Sequence, residues 1–464
     1  MAEFGMTYRR PDFKSKIGAS CWHDVEHSSH VDISHLQEEK LRRQLKYLEE
    51  NSEFYRRKFT EAGIKFEDIQ TLKDLQKVPF TYKTEIRDSL SEAPPFGHHR
   101  AADMSDIIQM QASSGTTGSP SYVAMTENDV VMWNEMSARC LFAGGIRPND
   151  LVLHGFSLAK GFVGGVPLTQ AVQYMGAVDV PIGADGGVDR LLRAIVDLKP
   201  RAIIGAPNFI LHLAEKAPEL VGCKASDLGI ERLIVGGEPG GGIPAFRRKL
   251  EELWGAKCCE LLGGTDLGVT YWSECDDQSG MHMLCPDYII TELYDEASDS
   301  IIPFEKGAEG ELIYTAIGRE ASPLMRFRSG DHIEVLGTDC ACGRTGPKIR
   351  CTGRTDDMLI VRGANVFPSA IQSIIGDMTP ETNGVMRVFA DFEGHTTQGN
   401  LKVIVERGAD QPAEKDPILK SEIETRLRNA LVFRAEVILV PADSFDKPGA
   451  AKVALTLREK PEFL

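Results

Sequence analysis

Between Asp150 and Trp254 the chain alternates short buried apolar runs with amphipathic ones, and this alternation limits the fold more than any other feature. Asp150-Leu151-Val152-Leu153-His154, Ala202-Ile203-Ile204-Gly205 and Arg232-Leu233-Ile234-Val235-Gly236-Gly237, the last running into glycines, predict strands, and 186–198, 209–216 and 245–254 predict helices. Strand and helix in turn build βα units around a mostly parallel sheet. Ligands bind such sheets beyond the carboxyl ends of the strands, so Gly205-Ala206-Pro207-Asn208 and Gly236-Gly237-Glu238-Pro239 are expected pocket walls. Upstream, Leu36, Leu41, Leu45 and Leu48 recur at helical spacings, predicting a helix from His35 to about Ala62 within a helical entry segment of about 35–80. Downstream of about residue 285 the strands shorten (288–290, 311–314, 332–335), which marks a β-rich subdomain. The last stretch reads as strands 384–389, 401–406, 435–440 and 451–457 with a helix at 417–431, the size of a small domain. The expectation is an α/β protein with a large domain over 1–353 and a small α+β domain over 354–464.

Composition narrows the function classes. A formal net charge of −16 over 464 residues argues against nonspecific binding to nucleic acid or an anionic membrane, while leaving room for a local basic site. No apolar run is long enough to span a bilayer, and the first twenty residues do not form an export signal. Ten cysteines in a chain of this length point to thiols or metal ligands rather than a disulfide framework. The expectation is a cytoplasmic enzyme.

The run Ser113-Ser114-Gly115-Thr116-Thr117-Gly118-Ser119-Pro120 lies between Ile107-Ile108-Gln109-Met110 and Tyr122-Val123-Ala124-Met125, two apolar, strand-like stretches. Hydroxyls and closely approachable backbone N–H groups suit a polyphosphate. A Walker loop is absent, and a plain Ser/Gly-rich turn explains the run equally well by itself.

With its following strand, this run resembles the phosphate loop of the adenylate-forming superfamily, and three further segments resemble its phenylacetate–coenzyme A ligase branch. They are 45–83 (with Asn51, Phe54-Tyr55, Ala62-Gly63 and Val78-Pro79-Phe80), ASPLMRFRSGD at 321–331, and GRTDDMLIVRGANVFPSAI at 353–371. The resemblance implies a ligase that joins a carboxylic acid to AMP from ATP, releasing pyrophosphate. Its mobile small domain then rotates, and the acyl group passes to the coenzyme A thiol. It also implies roles. Ser113, Ser114, Gly115, Thr116, Thr117 and Gly118 grip the phosphates, without the lysine the family often has at Ser119. Asp331 holds the ribose hydroxyls and Arg354 contacts ribose or phosphate. Asp356 is the hinge, and Gly363 lines the coenzyme A channel. Gly237, Glu238, Pro239 and Gly263 border the nucleotide, and Gly236 backs the acid pocket.

Two departures stand out. Leu262 replaces the family's tyrosine, and Asp266 replaces its glutamate beside the retained Thr265, keeping a hard oxygen ligand for Mg²⁺ one methylene shorter. Ala450 follows Gly449 where the adenylation lysine is expected, so Lys452 is favoured over Lys447 for that role. Phe156, Phe162 and Phe209 are candidates to flank an aryl ring and Lys160 to pair with its carboxylate, although core packing and surface exposure account for them equally. Cys275, His282, Cys340 and Cys342 resemble a ligand set of related ligases and suit a structural Zn²⁺ site, with Cys285 in reserve and metal-free thiols as the rival. The combined reading is an ATP-, Mg²⁺- and coenzyme A-dependent ligase of a small aryl acid, with no nucleic-acid or membrane partner and with a homodimer left open. Its rivals are a synthetase with an amine, hydroxyl or carrier-protein acceptor, and a catalytically reduced nucleotide-binding homologue.

Overall fold

The computed structural model describes residues 12–113, 121–159, 161–355, 357–362, 364–445, 454–461 and 463. Its centre is a twelve-stranded sheet. Five strands are parallel, in the order Val178–Val180, Leu151–His154, Ala202–Gly205, Arg232–Val235 and Lys257–Gly264. From Lys257–Gly264 onward the sheet continues antiparallel through Gly268–Ser273, Met281–Met283, Lys348–Arg354, Phe327–Gly337, Glu309–Ala316, Ile289–Asp295 and Ser300–Ile302. The predicted parallel sheet and β-rich subdomain are therefore one continuous sheet.

Both faces of the parallel half are buried, with the two-residue period of a strand. Leu153, Ile203, Leu233 and Cys258 face a core built with the helices Val188–Leu198, Pro207–Val221 and Pro244–Trp254. Val152, Ile204, Ile234 and Cys259 belong to the larger core that includes the helix Glu127–Ala143. That helix is buried on every side and was not marked by any amphipathic period.

The entry segment differs from the single helix expected over 35–62. Ser29 caps His30–Asn51, and Ser52 breaks the run by capping a second helix, Glu53–Glu61, accepting from the Tyr55 N–H at 3.4 Å. The chain leaves the large sheet after Arg354. Residues beyond it have their own core, including Leu359, Ile371, Met386, Val403, Ile423 and Val437. This core lies among a four-stranded sheet (Ala435–Val440, Leu401–Arg407, Thr382–Phe389, Thr456–Leu457), a three-stranded one and the helices Pro368–Gly376 and Asp416–Leu431. Among the described residues no helix is long and apolar enough to cross a membrane.

Candidate active site

Because the five strands are parallel, their carboxyl ends lie along one edge of the sheet. The Lys257–Gly264 strand runs into Thr265, which is buried, and Asp266. A Cβ on Gly263 would collide with the Val269 carbonyl, so the turn closes tightly at this point. Leu267 N–H donates to the Gly264 carbonyl at 3.0 Å, and the buried Arg319 donates to the Asp266 carbonyl. Both contacts hold the backbone of the turn that carries Asp266. Lys83, the first residue of the helix Lys83–Glu92, reaches the Asp266 carboxylate at 3.3 Å.

Asp331 and Arg354 face each other as register partners on neighbouring strands, and the guanidinium donates to the carboxylate. Ser329 holds the turn before Asp331: its hydroxyl accepts from the Asp331 N–H at 3.0 Å and donates to the Leu312 carbonyl at 2.7 Å. Tyr271, packed on Tyr314, lies in electrostatic reach of both acidic groups. Burial first, then the Asp331 and Asp266 carboxylates, hold its phenol well above the ordinary range. Asp266, Asp331 and Arg354 thus share one neighbourhood although they come from separate strands and turns.

On the parallel side Gly236 and Gly237 follow the Arg232–Val235 strand, and Gly237 has φ +83°, a left-handed conformation that favours glycine. The Glu238 carboxylate accepts from Asn208 N–H at 3.2 Å and Asn208 Nδ2 at 2.9 Å, which ties the expected walls 236–239 and 205–208 together. Below this loop lies Glu260, partly accessible, its carboxyl pushed up to about 7 by burial and by the Glu274 carboxylate.

The acid-pocket candidates separate. Phe156 and Phe162 meet edge to face at 5.9 Å, whereas Phe209 is packed in the core behind the sheet and does not join them. His154 Nε2 donates to the Gly164 carbonyl at 2.7 Å, and Asp185 accepts from the Ser157 hydroxyl and the N–H groups of Leu158 and Ala159, which shapes this stretch. Ser113 closes the base of a hairpin, Gln109–Ala112 with Tyr122–Met125, and the Ala112 N–H donates to the Gly161 carbonyl at 2.8 Å. The loop at 113–120 therefore starts beside the acid-pocket stretch. Ser114, Gly115, Thr116, Thr117, Gly118, Lys160, Asp356, Gly363, Lys447 and Lys452 lie outside the described residues.

Cys275, His282, Cys340 and Cys342 form one cluster, with their donor atoms all within 4.8 Å of one another. Cys275 Sγ lies 3.6 Å from Cys340 Sγ and 3.8 Å from His282 Nε2, and Cys342 Sγ lies 3.6 Å from that nitrogen. The other ring nitrogen, Nδ1, faces the Gly346 carbonyl at 3.3 Å. Cys285 is not part of the cluster: it is fully buried against the Met136 carbonyl.

Lys83, Tyr271, Glu260 and Arg319 were not found from sequence. Lys83 carried the only available signal, since it lies at the edge of the 45–83 stretch already singled out.

The chain is 32% identical over 441 residues to the phenylacetate-coenzyme A ligase of Thermus thermophilus, covering 91% of this chain and 95% of that protein. It is 33% identical over 355 residues to the phenylacetate-coenzyme A ligase of Escherichia coli K12, covering 76% of this chain and 78% of the other. Among solved structures, 2-hydroxyisobutyryl-CoA ligase in the postadenylation state with 2-HIB-AMP superposes with a TM-score of 0.89 at 27% identity, covering 99% and 97% of the two chains. The same ligase in the thioesterification state, with 2-HIB-AMP and CoA, gives 0.71 at 28% identity, covering 97% and 95%. No protein-family model matches the chain.

Proposed function

The chain belongs to the phenylacetate–coenzyme A ligase family, and from that premise we propose that it activates an aromatic carboxylic acid with ATP and transfers the acyl group to coenzyme A. The observations that support the nucleotide part of this reading are the Asp331–Arg354 pair and the Asp266–Lys83 pair, whose carboxylates both lie in electrostatic reach of Tyr271. In the first half-reaction a carboxylate oxygen of the acid bonds to the α-phosphorus of ATP, and the bond to pyrophosphate breaks. In the second, the coenzyme A sulfur attacks the acyl carbon and AMP leaves.

Charge builds on the phosphates in the first step, so the site must supply donors and cations there. Asp266 offers a hard carboxylate oxygen on a backbone held by Arg319, and would hold the Mg²⁺ that neutralises phosphate charge. Lys83 already sets a cation on the same carboxylate, and Lys452 is the reading for the C-terminal charge. Asp331 suits a diol, because a carboxylate accepts two hydroxyl donors side by side. Phe156 and Phe162, edge to face, supply the apolar surface proposed to flank an aryl ring.

The cluster of Cys275, His282, Cys340 and Cys342 fits a structural zinc. With zinc–ligand bonds of about 2.3 Å to sulfur and about 2.0–2.1 Å to nitrogen, a tetrahedron has edges of about 3.8 Å between sulfurs and about 3.6 Å from sulfur to nitrogen. Three of the six donor pairs in the cluster lie at 3.6–3.8 Å, and all six lie within 4.8 Å. With Nδ1 turned to the Gly346 carbonyl, the Nε2 lone pair is directed at the sulfurs.

The test is a panel of benzoates, phenylacetates and aliphatic hydroxy acids, assayed for AMP formation with and without coenzyme A, alongside elemental analysis. The expected result is AMP release driven by an aryl acid, thioester formation only with coenzyme A, and about one zinc per chain. Turnover confined to aliphatic acids removes the aromatic assignment, and product formed without coenzyme A removes the acceptor.

A further inference from the structure

We propose that Arg247 is a positioning residue of the nucleotide pocket, which locks the 236–242 loop to the 274–280 connection that carries Cys275 and leads into the His282 strand. The inference rests on the reading of the 236–242 loop as a wall of that pocket. Arg247 lies one turn into the Pro244–Trp254 helix, just after the loop, with its side chain only 14% exposed. Its three nitrogens reach three separate places. Nε donates to the Gly241 carbonyl at 2.6 Å, Nη1 to the Gln278 carbonyl at 3.2 Å, and Nη2 to the Glu274 carboxylate at 2.6 Å. Gln278 lies between Cys275 and His282, and Glu274 immediately precedes Cys275.

A planar guanidinium donates in fixed directions, so it sets these acceptors relative to one another, which a single ammonium cannot do. The loop depends on such a tie, because Gly240, Gly241 and Gly242 have no side chains with which to anchor themselves. Glu260 completes the lock from the sheet: Gly242 N–H donates to its carboxyl, and its own N–H donates to the Glu274 carboxylate at 2.8 Å. A Cβ on Gly241 would press into Val235 and Glu260, so the loop lies flush on the strands and a shift at Gly241 has no slack to absorb it. Arg247 acts through the loop and touches no substrate.

The experiment compares the full chain with its Arg247→Gln and Arg247→Lys variants, by AMP binding in calorimetry, KM for coenzyme A, and amide exchange at Gly241 and Gly242. The glutamine variant is expected to bind AMP about tenfold more weakly, the loss of one charge-assisted contact, with the lysine variant between. KM for coenzyme A stays unchanged, and the two amides exchange faster. Wild-type AMP affinity in the glutamine variant overturns the proposal. If that variant does not fold, the lysine variant decides, and wild-type exchange at Gly241 and Gly242 overturns the proposal there. Failure of the unaltered chain to bind AMP removes the nucleotide reading instead, and exchange at the two glycines then judges the tie alone.

Discussion

Residue identity conveyed the site only where residues came as words. Asp331 and Arg354 stand inside strings long enough to be recognised, and the structure sets them opposite each other. Lys83 had no such string pointing at Asp266, which lies 183 positions away. An ion pair with partners 34% and 15% exposed adds at most about 1 kcal/mol to stability. Lys83→Ala is therefore expected to leave the melting temperature nearly unchanged while lowering acid-dependent ATP–pyrophosphate exchange about tenfold, through a higher KM for Mg·ATP. Exchange at the wild-type rate would show that the lysine only decorates the carboxylate. Glu260 yields a prediction in pH. Its carboxyl in the folded chain titrates at about 7 against an ordinary value near 4.5. The folded state thus keeps a proton that the unfolded state has lost between those values, so stability falls as pH rises from about 4.5 through about 7 and is level above. With part of the carboxyl open to the cleft, the effect is on the order of 2 kcal/mol. In Glu260→Gln, denaturant midpoints measured from pH 5 to 8 should lose this component of the slope.

Elements with a clean period were legible, and those buried on all sides were not. The strands Leu151–His154, Ala202–Gly205 and Arg232–Val235 lie within two residues of their expected bounds. The Glu127–Ala143 helix left no trace, because a helix surrounded by protein has no solvent face to set a period, and its buried polar residues blurred the apolar signal. Those polar residues form a network. Arg139 donates to Glu135 at 3.0 Å and to both oxygens of Asp287, at 2.5 and 3.1 Å, while Trp22 and Tyr174 donate to Glu135 at 3.0 and 3.2 Å. The helix thereby joins the N-terminal segment to the turn before the Ile289–Asp295 strand. Arg139→Met leaves the buried Glu135 without its cation and Asp287 with only Lys40, 4.0 Å away, and a loss of about 3–5 kcal/mol is expected in equilibrium denaturation. A loss below 1 kcal/mol would mean that water or a proton already compensates these acids.

At the scale of the whole molecule, the continuity of the sheet could not be read, because the Lys257–Gly264 strand pairs in parallel on one side and antiparallel on the other. The seating of the small domain was equally hidden, since it depends on contacts between distant strands. Phe367, at the start of the Pro368–Gly376 helix, lies over Gly353 and 5.1 Å from the His332 ring, and Ser369 donates to the Thr352 carbonyl at 2.5 Å. Arg248 and Asp377 pair across the same seam at 3.6 Å. A Cβ on Gly353 would collide with the Phe367 ring, so this seat requires glycine there. In the proposed acyl-transfer step, rotation of the small domain would take Phe367 away and remove the requirement. Gly353→Ala is therefore expected to tax one seat and spare the other. Overpacking of this kind costs about 1–3 kcal/mol, which predicts roughly a 5- to 150-fold fall in acid-dependent ATP–pyrophosphate exchange. Transfer from a synthetic acyl-adenylate to coenzyme A, measured on the same preparation, should stay within about threefold of wild type, if the proposed rotation removes the Phe367–Gly353 contact before that step. Equal losses in both half-reactions would show that Gly353 serves the fold of the Lys348–Arg354 strand rather than the choice between two seats.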